Sequence, residues 1–386
     1  MGVPSRFDRA DRLRFESLTN ETLLEANEEL SIKISSNEKE KTLTISDNGI
    51  GMSKEEVIDN IGTIARSGTK QFLSSLEKSE STDSQLIGQF GVGFYSVFLV
   101  AEQVELKTRR AGSAKTDGVR WISDGSGEYT IEELELDHCG TQLILSLKTD
   151  DSDFSEEFRI KNIVERYSDH ISFPILMPKK DNKEDLERIN KGSPIWARPK
   201  NEISQDEYNQ FYSTLTYDQE PPLVTLHNRV EGTFDYSTLF FVPTKPPFDL
   251  WDREQRHGIN LYVRRIFILD DSKHLMPQYL RFVRGVVDAN DLPLNVSREF
   301  LQNNRDIDRI RSSSVKKILA QFQKMADQDT DGYQTLWEAY GKVLKEGIVE
   351  DQENQSIVTK LLRFATTRSE LGVQEISLEQ YVKRMP

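Results

Sequence analysis

Hydrophobic and polar positions alternate over residues 30–46, where Ile32 and Ile34 precede the polar stretch 35–41 and a second alternating run follows it. This period of two predicts a half-buried antiparallel hairpin. Ser53 is followed three positions later by Glu56, a spacing typical of a capping box at the start of a helix. Further strand-like runs are predicted at 103–108, 119–123, 127–134 and 140–147.

The second half of the chain also combines strand-like alternation with a helical pattern of apolar residues. Strand-like runs occupy 238–244 and 259–271, and a helical pattern is predicted from about Arg298, with apolar residues at every third or fourth position. These residues are Ile307, Ile310, Val315, Ile318, Leu319 and Phe322. The patterns indicate an α/β protein. The acidic run 148–158 and the charged stretch 177–194 are candidate domain boundaries.

Composition narrows the functional classes. The 386 residues carry a formal net charge of -14, which argues against general binding to nucleic acid. Cys139 is the single cysteine, which favours a reducing compartment, and the five histidines lack metal-site spacing, so no metal site is assigned to them. No apolar run is long enough for a signal peptide or a membrane span, so we expect a cytoplasmic protein.

Two glycine clusters carry the candidate chemistry. The stretch "SDNGIGMS" (46–53) places Asp47 at a strand end, and "IGQFGVG" (87–93) precedes an apolar run. Neither "GTIARSGTK" (62–70) nor the second cluster matches a P-loop or a dinucleotide fingerprint. The glycines would let the backbone approach a polyphosphate, and Asp47 would accept a hydrogen bond from an exocyclic amine such as that of adenine. Taken singly, each cluster also fits an ordinary turn.

In order along the chain, "TISDNGIGMSKEEVIDNIGTIARSGTK" (44–70), "DSQLIGQFGVGFYSVFLV" (83–100) and "YLRFVRGVVDANDLPLNVSREFLQ" (279–302) resemble the heat-shock protein 90 chaperones, bacterial branch. This family belongs to the wider gyrase, histidine-kinase and MutL ATPase superfamily. The resemblance implies a two-layer α/β sandwich that binds ATP at 1–178, a linker at 179–194 and an α/β middle domain at 195–386. It covers nearly the entire chain from about Asp11.

The resemblance also implies the site residues. Asp47 would bind the adenine amine directly or through water, and Asn60 would lie beside the sugar and phosphates. Arg66 would be the basic residue on the phosphate side, and 68–85 would form part of the ATP lid. The base pocket would be lined by Gly51, Met52 and Thr141. The phosphates would be covered by Gly88, Gln89, Phe90, Gly91, Val92, Gly93 and Phe94. In the middle domain Arg298 would reach the gamma-phosphate, with Asn295 and Gln302 beside it.

The chain departs from the family pattern at both ends. Counted back from "DRLRF" (11–15), Ser5 stands where the family has its magnesium-binding asparagine, Asp8 matches a family aspartate, and the water-positioning glutamate has no counterpart. ATP with magnesium is the expected cofactor, and we expect impaired hydrolysis. The first strand, most of the first helix and the C-terminal dimerisation domain are absent from the sequence, so the homodimer of the intact family is not expected.

The function implied is that of an ATP-dependent chaperone of protein folding and the stress response, which binds unfolded or partly folded clients. One alternative is a non-catalytic client-binding fragment. Another is a DNA-linked ATPase of the MutL or gyrase type, against which the acidic charge and the middle-domain motifs argue. Trp196, Trp251 and the "FDLW" cluster (248–251) are candidates for the client surface, although aromatic residues of this kind more often belong to a core.

Overall fold

The computed structural model describes residue 13 and residues 29–62, 93–180, 182, 184–232, 234–248, 250–251, 258–270, 274–290, 292, 304–367, 369–370 and 372–385. The chain divides into two compact units, Met1–Ser193 and Pro194–Pro386. Each unit combines a sheet with helices, which confirms the predicted α/β fold. The acidic run 148–158 lies inside the first unit and is not a boundary, because it forms a 3₁₀ segment, Thr149–Ser155, and the start of a helix.

Among the described residues of the first unit, eight strands form one sheet, in the order β5-β4-β3-β6-β2-β1-β7-β8. The strands are β1 (Ile32–Asn37), β2 (Thr42–Asp47), β3 (Ala101–Arg109), β4 (Gly118–Ser123), β5 (Thr130–Leu134), β6 (Gly140–Leu147), β7 (Ile175–Pro178) and β8 (Leu186–Arg188). The helices whose bounds the structure describes in this unit are α1 (Lys54–Asn60) and α2 (Glu157–Ser168).

The predicted hairpin is confirmed as β1 and β2, which pair antiparallel with Ile34 opposite Ile45. Ser53 caps α1 and Glu56 closes the capping box, as predicted. Apolar residues of α1 and of the 3₁₀ turn Tyr95–Leu99 pack against one face of β3, β4 and β6, and they form the hydrophobic core of this unit. The strand β2, which ends at Asp47, pairs with β6 of this packed layer.

The second unit has a five-stranded sheet in the order β12-β11-β13-β10-β9. Its strands are β9 (Val224–Val230), β10 (Tyr236–Val242), β11 (Ile259–Val263), β12 (Ile266–Leu269) and β13 (Arg284–Ala289). Its helices are α3 (Gln205–Thr216), α4 (Arg305–Gln328), α5 (Thr330–Leu344), α6 (Gly347–Glu350), α7 (Gln355–Leu361) and α8 (Leu378–Lys383).

Both faces of this second sheet are covered. Phe240 of β10 belongs to a core shared with α4, α5 and α7, while its neighbour Phe241 belongs to a core shared with Trp196 and α3. Alternation along a strand sends successive side chains to opposite faces, so one strand serves both layers. The predicted helical pattern is confirmed in α4, where all six of the predicted apolar residues are buried.

Two segments differ from the predicted pattern. The run 259–271 is two strands, because Arg264 and Arg265 adopt positive φ angles of 51° and 65° and turn the chain back. The stretch 179–194, predicted as a linker, contains β8, which pairs with β7 and adds an edge strand to the first sheet. Asn190 fixes this stretch, since its amide donates to the carbonyls of Ile171 and Phe173.

Candidate functional site

Asp47 is the last residue of β2, and the register places it opposite Thr141 at the start of β6. Thr141 is in turn opposite Thr108 of β3. The next residues inward on the same face are apolar, Ile45, Leu143 and Leu106. A polar row therefore crosses three adjacent strands at the edge of a hydrophobic core.

The Asp47 side chain is held in a buried position, and the residue is 6% exposed. Its Oδ1 accepts a hydrogen bond from the amide of Gly49 at 3.1 Å, an Asx turn that begins the glycine stretch. Asn48 fixes the outer side of the turn, since its Oδ1 accepts from the Ser31 amide at 2.8 Å and its Nδ2 donates to the Glu29 carbonyl at 3.0 Å. The carboxylate is thus oriented by local backbone.

Two glycines, Gly51 in this turn and Gly140 at the start of β6, are needed for a close approach of backbone segments. Gly51 has a φ of 65°, and a Cβ there would lie 1.9 Å from the carbonyl oxygen of Arg109. Gly140 has a φ of 112°, and a Cβ there would lie 2.1 Å from the carbonyl oxygen of Asp47. Any side chain at either position would force the strands apart. The permissive turn therefore lets Asp47, β3 and β6 meet.

Thr108 connects these segments by hydrogen bonds. Its Oγ1 accepts from the Met52 amide at 3.0 Å, donates to the Gly140 carbonyl at 2.8 Å and lies 3.0 Å from Thr141 Oγ1. The residue is 1% exposed. Sequence reasoning missed Thr108 and Gly140 as site residues. The available signal was a threonine at the inward position of β3, where Val104 and Leu106 are apolar.

Asn60 ends α1, and its Oδ1 is a buried atom with no hydrogen-bond partner among the residues that the structure describes. A buried amide oxygen without a partner is unusual in a folded protein. The end of α1 is fixed by Tyr95, whose hydroxyl donates to the Ile61 carbonyl at 2.6 Å. Together with the close-packed glycine turn, this orphaned polar atom fits a site that takes a polar ligand such as a nucleotide.

The other predicted residues divide into two groups. Gly93 and Phe94 lie within the described residues. A Cβ at Gly93 would meet no heavy atom of the described residues within 4 Å. The Phe94 ring packs edge-on against the Trp121 ring, with 5.6 Å between the ring centroids. The ring of Phe94 is thereby directed to the core. The remaining residues lie outside the described residues, and their roles stay predictions. They are Ser5, Asp8, Arg66, the lid 68–85, Gly88, Gln89, Phe90, Gly91, Val92, Asn295, Arg298 and Gln302.

The aromatic residues predicted as candidates for a client-binding surface differ in their exposure to solvent. Trp196 is fully buried, and its Nε1 donates to Asp288 Oδ2 at 2.8 Å, so for Trp196 the core interpretation is confirmed. Burial raises the pKa of the Asp288 carboxyl, and the hydrogen bond from Trp196 opposes that rise. In contrast, Phe248 is 97% exposed and Trp251 is 59% exposed.

Across the described ranges, no group of three or more His, Cys, Asp or Glu side chains is arranged to hold a metal ion. Within the same residues, no helix combines the length and the apolar character needed to cross a bilayer.

Two known protein families match this chain, each over a different part of it. The family described as "Histidine kinase-, DNA gyrase B-, and HSP90-like ATPase" matches residues 21–153, which include the polar row and α1. The family described as "Hsp90 protein" matches residues 178–386, more than half of the chain.

Curated relatives named "Chaperone protein HtpG" extend the match to 99% of the chain. Those of Hydrogenovibrio crunogenus, Nitrosospira multiformis and Salmonella paratyphi A are 51%, 50% and 48% identical, respectively. The chain spans 62% of the length of each of these three relatives. Both halves match in the order that the sequence motifs predicted, and the chain belongs to the Hsp90 protein family.

Proposed function

We propose that this chain is part of an ATP-dependent chaperone and that it binds the adenine of ATP or ADP at Asp47. The observation that carries the proposal is the buried Asp47 carboxylate, held at a strand end beside Thr141 and the glycine turn. An ionised carboxylate only accepts hydrogen bonds, so it selects a ligand that offers a donor. The 6-amino group of adenine is such a donor.

The remaining pocket residues support the same ligand. Gly51, Met52 and Thr141 would surround the base, because the turn 49–52 runs against the ends of β3 and β6. Asn60 would use its buried Oδ1 towards the sugar or a bridging water. Arg66 and the backbone of 88–94 would hold the phosphates with magnesium, whose charge would offset that of the phosphate oxygens.

Clients are proposed to be unfolded or partly folded proteins. The exposed rings of Phe248 and Trp251, three positions apart on the loop after β10, support this part of the proposal. Exposed apolar side chains that form a contiguous patch mark surfaces that contact a partner. The sequence features that favour a reducing compartment also favour action in the cytoplasm.

The nucleotide proposal is tested by isothermal titration calorimetry with ADP, which separates binding from hydrolysis. We expect saturable binding to the unmodified chain and binding weaker by about 100-fold or more in Asp47→Asn, because an amide adds a donor where the ligand also donates. Asp150→Asn, an exposed position of the same unit, is the matched control and should bind like the unmodified chain. Equal affinity of Asp47→Asn and the unmodified chain would refute the assignment of Asp47.

A further inference from the structure

Thr108 carries a buried hydroxyl on β3, and its three hydrogen-bond neighbours lie in the glycine turn and at the start of β6, the two other segments that surround the proposed base pocket. Met52 ends the glycine turn, Gly140 and Thr141 begin β6, and Thr108 itself lies near the end of β3. The distances from Thr108 Oγ1 are 3.0 Å to Met52 N, 2.8 Å to Gly140 O and 3.0 Å to Thr141 Oγ1. All three are within the normal range of hydrogen bonds.

The direction of each bond follows from counting protons. A hydroxyl has one proton and two lone pairs. The Gly140 carbonyl only accepts and the Met52 amide only donates, so Thr108 gives its proton to Gly140 and accepts from Met52. The second lone pair of Thr108 then accepts from the hydroxyl of Thr141. This arrangement uses the full hydrogen-bonding capacity of Thr108.

The consequence for Thr141 is a fixed polarity. Its proton is directed to Thr108, so its oxygen faces any other neighbour as an acceptor. Asp47 is its register partner on β2, and directly paired residues have Cβ atoms about 4.5–5.5 Å apart. Two acceptors therefore lie side by side. A pair of acceptors favours an amino group, or a water bound to it, over a carbonyl group at the same place.

We infer that Thr108 is a positioning residue that sets the base preference of the nucleotide site, by holding the Thr141 hydroxyl as an acceptor beside the Asp47 carboxylate. The inference rests on the proposed function. It adds to it that Thr108, which does not contact the ligand, determines which base the site prefers. Without the Thr108 hydroxyl, Thr141 can rotate its proton towards the ligand and accept a 6-oxo base. The site then loses part of its discrimination.

The test compares ADP with inosine diphosphate, in which a carbonyl and a ring N–H replace the 6-amino group and the bare ring nitrogen of adenine. Calorimetric dissociation constants are measured for the unmodified chain, Thr108→Val and Thr108→Ser. Thr44→Val is the matched control, because Thr44 is a half-buried residue of β2 on the opposite face of the sheet. Thermal unfolding of every variant is recorded alongside, and Thr108→Ala is included as a smaller substitution with the same expectation as valine.

We expect the unmodified chain to prefer ADP by about 100-fold or more, since a site built for a donor rejects the analogue that lacks it. In Thr108→Val the ratio of the two constants should fall by about tenfold, the usual size of one hydrogen bond to a ligand. Thr108→Ser restores the hydroxyl and should restore the ratio, while Thr44→Val should leave it unchanged. A purely structural role would weaken both ligands equally and leave the ratio intact.

The outcomes separate the inference from the proposed function. If the unmodified chain binds ADP and Thr108→Val keeps the same ratio, the inference is wrong and the nucleotide site stands. A ratio lost in both Thr108→Val and Thr108→Ser would likewise overturn it, because serine keeps the donor and both lone pairs. If the unmodified chain binds neither nucleotide, the proposed function itself fails, and the inference fails with it.

Discussion

Replacement of Trp196 by phenylalanine removes one hydrogen bond and part of one ring from the interior of the second unit. Trp196 is fully buried and donates to the buried carboxylate of Asp288 at 2.8 Å, and its ring lies 4.8 Å from that of Tyr262. In the variant, the backbone amide of Arg265, at 3.1 Å, is the hydrogen-bond donor that remains for Asp288 among the residues that the structure describes. We expect a marked loss of stability.

The magnitude follows from two contributions. Loss of the donor leaves a buried acceptor short of one hydrogen bond, which costs about 1–3 kcal/mol. The smaller ring leaves a cavity that costs roughly a further 1–2 kcal/mol. Together they predict that the free energy of unfolding of the second unit falls by about 2–5 kcal/mol. Trp251→Phe is the matched control, because this ring is 59% exposed, and a change below about 0.5 kcal/mol is expected there.

The assay is urea unfolding followed by far-ultraviolet circular dichroism, with tryptophan emission recorded in parallel. Trp196, Trp251 and Trp337 all lie in the second unit, so the transition with the larger emission change reports on that unit. Two units can unfold in separate steps, and each step is fitted by itself. If Trp196→Phe and Trp251→Phe lower stability by the same amount, the hydrogen bond to Asp288 does not have the value assigned to it.

Two further predictions concern pH and clients. Burial lowers the pKa of His170 from 6.5 to about 4, so the unfolded chain binds the proton first and stability is lost as the pH falls from 6.5 to 4; the loss is about 2 kcal/mol at pH 5. His170→Gln should abolish this loss and the exposed His138→Gln should keep it, as measured by urea unfolding at pH 7 and pH 5. Phe248→Ser with Trp251→Ser should weaken, by about tenfold or more, the binding of a permanently unfolded protein measured by fluorescence anisotropy. The melting temperature should not change, and undiminished binding would place the client surface elsewhere.

Local patterns were sufficient for the parts of the fold that depend on neighbouring residues. The hairpin of β1 and β2 follows from alternation, and the start of α1 follows from Ser53 and Glu56. The position of Asp47 at a strand end was predictable for the same reason. The predicted role of Asp47 as a hydrogen-bond acceptor followed from a carboxylate beside a glycine turn. The identity of the expected ligand, ATP, came from the resemblance to the family.

Other features depend on contacts between distant residues. Thr108 and Thr141 are 33 positions apart, and only the pairing of β3 with β6 brings them together. The turn at Arg264 and Arg265 lacks the glycine or asparagine typical of such turns. It is held instead by β13 and the residue after it, since Asp288 accepts from the Arg265 amide and the Asn290 carbonyl accepts from Arg264 Nε.

The strand β8 is another element that the sequence pattern did not predict. Its sequence is short and charged, and such strands are common at sheet edges, where they discourage pairing with another chain. The charge that made 179–194 resemble a linker has a local structural role, because Glu187 forms an ion pair with Lys161 of α2 at 2.5 Å. A pattern of charge therefore does not by itself separate an edge strand from a connection between domains.

The close approaches at Gly51 and Gly140 also bear on how the base preference of such a site can evolve. Backbone carbonyls, those of Arg109 and Asp47, stand against the two glycines, so these parts of the wall present the same chemical groups whatever the sequence. In the proposed site, the side chains of Asp47, Thr141 and Thr108 are groups that a substitution can change. We therefore expect a change of base preference to arise at these side chains rather than at the two glycines.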